Sequence, residues 1–261
     1  MKSLYAIYRK EMGNYFVSPV AYVVVGVFLA LSAFFFNYFL SAVMQQALQM
    51  QMQEMEMGMH PNIDVTMEVM RAFFGLLSTL VLFLTPMLTM GVFSEERKRG
   101  TMELLMTSPI TEWQIVLGKF LASLTLFAIM LLPTAGYLIF TYVRSEPVPP
   151  WRMLIAGYLG IMLLGACLLA LGSFISSLTE NQLIAAVLTF AAFLIVWVID
   201  LGRNAGGAAG DTLQYLSVIR HYDDFTRGVI DTSSLIYYLS FIGLFVFLTV
   251  RSVDSMRWRR A

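Results

Sequence analysis

The chain has 261 residues, 58% of them hydrophobic and 13% charged, with 17 basic and 17 acidic side chains and a mean hydropathy of +0.72. Soluble domains carry about 25% charged residues, and one core cannot hide so much apolar surface from water. The composition therefore excludes a soluble globular fold and makes lipid the solvent, while the balanced charge offers no clustered basic excess for nucleic acid.

Residues 3–16 put Leu4, Tyr8, Met12, Tyr15 and Phe16 on one helical face, with Arg9, Lys10 and Asn14 elsewhere. That pattern fits a helix lying in the membrane surface, apolar side down, or a basic anchor that fixes topology. The apolar run that follows is too long for a signal h-region and lacks a small-residue cleavage site, so a retained first span is expected.

Long charge-free gaps then recur: Glu11 to Glu54, Arg71 to Glu95, Lys119 to Arg144, Arg152 to Glu180, Glu180 to Asp200 and Asp231 to Arg251. Each holds the ~18 residues that a spanning helix needs. Six spans are expected near 18–42, 72–93, 115–142, 153–177, 182–200 and 233–251, in an all-α polytopic protein with one transmembrane domain over 1–261. Thr111–Gln114 and Thr179–Gln182 both match the capping box that opens a helix. Pro86 and Pro133 fall inside spans two and three, where they are expected to kink the helix.

With six spans both termini share one side. That side carries Lys2, Arg9, Lys10, Arg97, Lys98, Arg99, Lys119, Arg251, Arg257, Arg259 and Arg260, the greater part of the 17 basic residues. The positive-inside rule makes it the cytoplasm.

The segment after span one holds Met44, Met50, Met52, Met55, Met57, Met59 and His60. Thioether sulfur suits Cu(I), and methionine is equally an adaptable apolar filler on a helix that extends the span. In span four, Ala156/Gly160, Ala166/Ala170 and Gly172/Ser176 are small pairs four apart, suited to close helix packing within the chain or against a second copy. Cys167, in the same span, reads as a small buried hydrophobe. Residues 201–210 read as a flexible link, and 212–230 as an interfacial or re-entrant helical element. His221 near Asp223 and Asp224 reads as a solvated loop residue. No span is expected to carry a charge well inside it, which argues against an ion-coupled carrier or channel. The absence of His-Glu-x-x-His, paired intramembrane acids or a nucleophile constellation argues against an enzyme.

The segment Phe93-Ser94-Glu95-Glu96-Arg97-Lys98-Arg99-Gly100-Thr101-Met102-Glu103-Leu104-Leu105-Met106-Thr107-Ser108-Pro109 joins spans two and three. A dense charge cluster, a Gly-Thr start and a short apolar turn stopped before Pro109 fit insertion into a groove on a cytoplasmic partner. The bland reading is a charged cap that fixes topology.

Glu96-Arg97 through Gly100-Thr101-Met102-Glu103-Leu104-Leu105, then Ser108-Pro109 and a span opening with Gly118-Lys119, resembles the second-span loop of type-2 ABC transporter permeases. The amino-terminal surface helix, the six spans and an external helical hairpin before span six also resemble that architecture. His221 through Asp231 is similar to the same region in the gliding-motility-type branch. The resemblance implies a non-catalytic transport subunit of an exporter in the bacterial inner membrane. It implies that Glu95, Glu96, Arg97, Gly100, Thr101, Glu103, Leu104 and Leu105 couple to a dimer of cytoplasmic ABC ATPase subunits. The chain has no Gly-x-x-x-x-Gly-Lys-[Ser/Thr] cradle, so ATP and Mg are expected in that partner and no cofactor here. A second permease copy or a related permease is expected, and the gliding-type likeness implies a large auxiliary membrane protein. Smooth apolar spans fit a lipid-like, hydrophobic or bulky cargo.

Overall fold

A computed structural model describes residues 2–57, 65–102, 105, 110–144, 150–202 and 217–258, and all regular structure among them is helical. In chain order the helices are α1 Lys2–Val17, α2 Pro19–Met57, α3 Val65–Thr89, α4 Ser94–Lys98, α5 Glu112–Leu131, α6 Thr134–Arg144, α7 Trp151–Leu178, α8 Gln182–Gly202, α9 Val218–Thr226 and α10 Thr232–Trp258.

Five helical stretches are long and apolar enough to cross a membrane: Pro19–Gln49, Met67–Lys98, Glu112–Val143, Trp151–Leu178 and Thr232–Met256. The expected fifth span falls on α8, whose apolar part Gln182–Val198 is shorter. Helix α2 does not end near residue 42. Nothing in Gln45–Gln53 breaks a helix, and its 39 residues reach Met57, roughly 58 Å of rod against a hydrocarbon core of about 30 Å. The methionines therefore ride on a helical extension, with Met44 and Met52 exposed; Met59 and His60 lie outside the described residues.

The two prolines act differently. Pro86 lies within an unbroken α3, where the Thr85 and Thr89 hydroxyls donate to the Val81 and Thr85 carbonyls. Pro133, by contrast, splits the third span into α5 and α6. The Thr134 hydroxyl bonds the Leu131 carbonyl at 2.6 Å and pairs with the Tyr158 hydroxyl at 3.0 Å, so polar side chains bridge the break.

Helix α7 is the centre of the bundle, packing on α3, α5, α8, α9 and α10. Its small residues are cut to receive neighbours from the same chain. A Cβ at Gly157 would overlap the Phe74 ring, at Gly160 the side chain of Phe225, at Gly165 the Phe127 ring and at Gly172 the side chain of Thr89. Ala156, Ala166, Ala170 and Ser176 are buried too, so the small pairs of this helix serve packing within the subunit.

At the end of the bundle away from α4, helix α9 fits between α3, α7, α8 and α10. Ser217 caps it by accepting from the Arg220 N–H. Tyr222 donates to the Phe74 carbonyl at 2.9 Å and Tyr238 to the Val218 carbonyl at 2.8 Å. His221 is not a solvated loop residue: its ring stacks on Tyr237 at 4.2 Å, its Nδ1 lies 3.1 Å from the Ser234 hydroxyl, and it is buried. The nine-residue helix has a strongly one-sided pattern of Val218, Tyr222 and Phe225, and that face must be covered. Gly228, at φ +80°, turns the chain against the Met153 backbone. Of the link expected at 201–210, Leu201 and Gly202 belong to the end of α8, and 203–210 lie outside the described residues.

The capping box at Thr111 forms as expected, with Gln114 and Thr111 satisfying each other's backbone N–H. The second does not. Asn181 caps α8 by accepting from the Leu183 N–H at 2.9 Å, while Thr179 accepts from Asn181. Asn is as good a cap as Thr, and it stands directly before the helix.

Replacing Gly165 by Val forces the Phe127 ring out of its notch and is expected to cost about 1–3 kcal/mol by overpacking. Gly26→Val, where an added Cβ meets nothing within 4 Å, is expected to leave the unfolding temperature of the detergent-solubilised protein within a few degrees of the parent. Parallel thermal melts compare the two.

Candidate functional site

The segment singled out between spans two and three begins where α3 ends. Met90–Phe93 turn the chain, and α4 starts at Ser94 with no side-chain cap of its own. The orphan N–H groups of Phe93 and Ser94 both donate to the Ser176 hydroxyl of α7, each at 3.2 Å. The same hydroxyl donates to the Met90 carbonyl at 2.9 Å. One serine thus satisfies the buried corner, which lipid or a dry core would otherwise leave open at high cost. Gly100, at φ +69°, stops α4 in the left-handed conformation that glycine adopts without strain.

Glu96 and Arg97 reach in opposite directions from α4. Glu96 lies 3.0 Å from Lys119 of α5 and 3.1 Å from Lys10 of α1. Lys119 also pairs with Glu11 of α1 at 3.0 Å and donates to the Val92 carbonyl at 2.8 Å. Its side chain is 2% exposed. The ammonium donates to Glu11 and to the Val92 carbonyl, faces the Glu96 carboxylate as an ion pair, and lies 5.4 Å from the Phe93 ring. A buried lysine is tolerated when it is paired in this way. Burial alone would lower the Lys10 ammonium, but the facing Glu96 carboxylate more than offsets this, and Lys10 titrates above its ordinary range. On the other flank, Arg97 donates to the Ser177 carbonyl at 2.8 Å and to Glu180 at 3.0 Å. The Ser177 hydroxyl continues to Ser252 of α10 at 2.8 Å.

The eight residues expected to face an ATPase thus divide. Glu95 pairs with Arg99 on the surface, and Gly100 and Thr101 are exposed. Glu96 and Arg97 are turned onto the chain's own helices. Leu105 is half-buried against the core, and Met102 is buried, so these two apolar residues of the turn are covered within this chain. Glu103 and Leu104 lie outside the described residues.

Two further expectations change here. The apolar face of α1 packs along α5: Ile7 and Leu4 lie over Gly118, Tyr15 pairs with Ser123 at 2.8 Å and Tyr8 with Thr125 at 3.3 Å, while Phe16 is exposed. The expected third span, 115–142, does carry a buried charge, Lys119, at its α4 end. Lys10, Glu11, Lys119, Ser176, Ser177 and Glu180 were not among the expected site residues. Glu11 had a signal: it falls on the same helical stripe as Leu4, Tyr8 and Tyr15, an acid on an apolar face that needs a cation. Lys119 inside an apolar run is that cation.

Lys119→Met leaves the Glu11 and Glu96 carboxylates facing each other and is expected to destabilise the protein by about 3–5 kcal/mol. Arg251→Met removes an exposed pair with Asp254 at 3.9 Å and should cost under about 1 kcal/mol. Thermal unfolding monitored by size-exclusion chromatography separates the two.

A family model described as "ABC-2 family transporter protein" matches residues 5–253. Over 174 residues the chain is 26% identical to the "Probable multidrug ABC transporter permease YbhR" of Escherichia coli (strain K12), covering 65% of this chain and 45% of that protein. The same protein of Escherichia coli O157:H7 matches equally. The chain thus aligns with less than half the length of these curated relatives. The family match runs from the first turn of α1 to the last turns of α10, over the multi-helix apolar bundle and both flanks of the α4 joint, and the chain belongs to the ABC-2 family of transporter proteins, the permease subunits of ABC transporters.

Proposed function

We propose that this chain is the permease subunit of an ATP-driven exporter in a bacterial inner membrane, and that the segment 94–106 takes up force from a separate ATPase. The observation that carries the reading is the two-sided anchoring of α4. Glu96 ties it to α1 and α5, Arg97 and Ser176 tie it to α7, and its outer side stays open. A load on the loop therefore reaches three helices without passing through slack chain.

In this reading Glu95, Gly100, Thr101, Glu103, Leu104 and Leu105 meet the ATPase, while Glu96 and Arg97 hold the loop to the bundle. Helix α8 completes six spans, and the Lys/Arg bias sets both termini and the α4 end in the cytoplasm. ATP and Mg bind in a dimer of partner subunits. A second permease copy completes the pathway, and membership of the gliding-motility-type branch would add a large auxiliary membrane protein. The apolar span surfaces favour a hydrophobic or lipid-like cargo, in keeping with the multidrug description of the matched relatives.

Gentle purification from the native membrane, with mass spectrometry of what accompanies the chain, tests this. An ABC ATPase is expected with the unmodified protein. Its recovery should fall roughly tenfold or more in Glu103→Lys/Leu104→Asp, as for loss of interface hot spots. If no ATPase is recovered even after crosslinking, the coupling reading fails and a stand-alone carrier replaces it.

A further inference from the structure

The ionic cluster has a feature that anchoring α4 alone does not require. One buried cation serves carboxylates from two different elements, Glu11 on α1 and Glu96 on α4, and is itself fixed in α5. Lys119 also donates to the Val92 carbonyl in the turn before α4. The cluster thus joins the start of the loop to α1, and α1 leads directly into α2. Ser18 is the hinge residue between them, its N–H bonded to the Asn14 carbonyl at 3.0 Å, and Tyr22 of α2 donates to the Phe16 carbonyl at 2.8 Å. Helix α2 rests mainly on α3 and is otherwise open: 28% of its most apolar stretch is buried, against 67% for α7.

We infer that Lys119 is a positioning residue that passes displacement of the loop into α1, so that α1 moves as a lever on α2 when the ATPase closes. This rests on the permease reading above. The physical reason is that separating either carboxylate from Lys119 takes one of its two counter-ions from a buried ammonium, whereas moving the three groups together breaks nothing. The lightly packed α2 yields before the cluster does. The half-exposed Lys10–Glu96 pair alone would be too weak a tie, since exposed ion pairs contribute little.

The test uses the permease purified together with its ATPase. Gly13, where an added Cβ meets nothing within 4 Å, and exposed Leu244 on α10 are changed to Cys for spin labels, with buried Cys167 replaced by Ala. The distance between them is measured without nucleotide and after trapping with ATP and vanadate. In the parent a nucleotide-dependent change in this distance is expected. In Glu11→Gln/Lys119→Met, which removes one charge of each sign and leaves Lys10 with Glu96, the change should shrink several-fold or vanish, as when a coupling of typical size is lost. ATPase recovery with the variant and its melting temperature are measured alongside. A full-sized change in a variant that retains its ATPase would show the cluster to be structural only and overturn the inference. So would a parent whose distance is the same in both states while ATP is hydrolysed. Failure to recover any ATPase with the parent would instead bring down the permease reading, and the lever with it. If the variant is too unstable to isolate, Glu11→Leu is measured alone. It removes the acceptor on α1 that faces Lys119 while Glu96 still pairs the ammonium, and a full-sized change there overturns the inference equally.

Discussion

Everything at the α4 end of this bundle depends on Lys119 being neutralised. An ammonium with 2% of its side chain exposed, beside apolar helices, has no water to fall back on. Its place is therefore set by where Glu11, Glu96 and the Val92 carbonyl are. In turn those groups are fixed relative to one another, although they belong to an amino-terminal helix, a five-residue helix and a turn. Such ionic clusters contribute less to net stability than their geometry suggests, because desolvation offsets the attraction. What this one contributes is relative position.

The second organising element is apolar. Helix α7 accepts Phe74, Phe225, Phe127 and Thr89 into glycine notches along its length. In lipid there is no hydrophobic drive between helices, and close backbone approach with van der Waals contact takes its place. The two devices meet at Ser176, where α7 offers one hydroxyl to the corner between α3 and α4. A helix with little freedom to shift thus holds one flank of the loop, and the ionic cluster holds the other.

The broad architecture was legible because charge spacing and apolar length are one-dimensional properties. The gaps between charges coincide with α2, α3, α5–α6, α7, α8 and α10. The Thr111 cap was legible for the same reason, since a capping box is local. What could not be read was three-dimensional. Glu96 and Arg97 look alike in a charge run, yet one turns to α1 and α5 and the other to the end of α7. His221 has a polar neighbourhood in sequence and an aromatic one in space, because Tyr237 arrives from another helix. Pro133 breaks its helix where Pro86 does not, although threonine hydroxyls bond backbone carbonyls beside both, so the immediate sequence does not tell the two apart. The α1 stripe was visible, but not that α5 would cover it.

The chain positions of the cluster bear on how the protein is made. Lys10, Glu11, Glu96 and Lys119 all precede α7, so every charge of the knot is synthesised before the central helix leaves the ribosome. Domains and their parts form in order of emergence, and a lysine entering lipid without a counter-ion is costly. Here Glu11 and Glu96 are already present when Lys119 arrives. The ionic half of the joint can therefore close during biosynthesis, and Ser176 docks onto a corner already built.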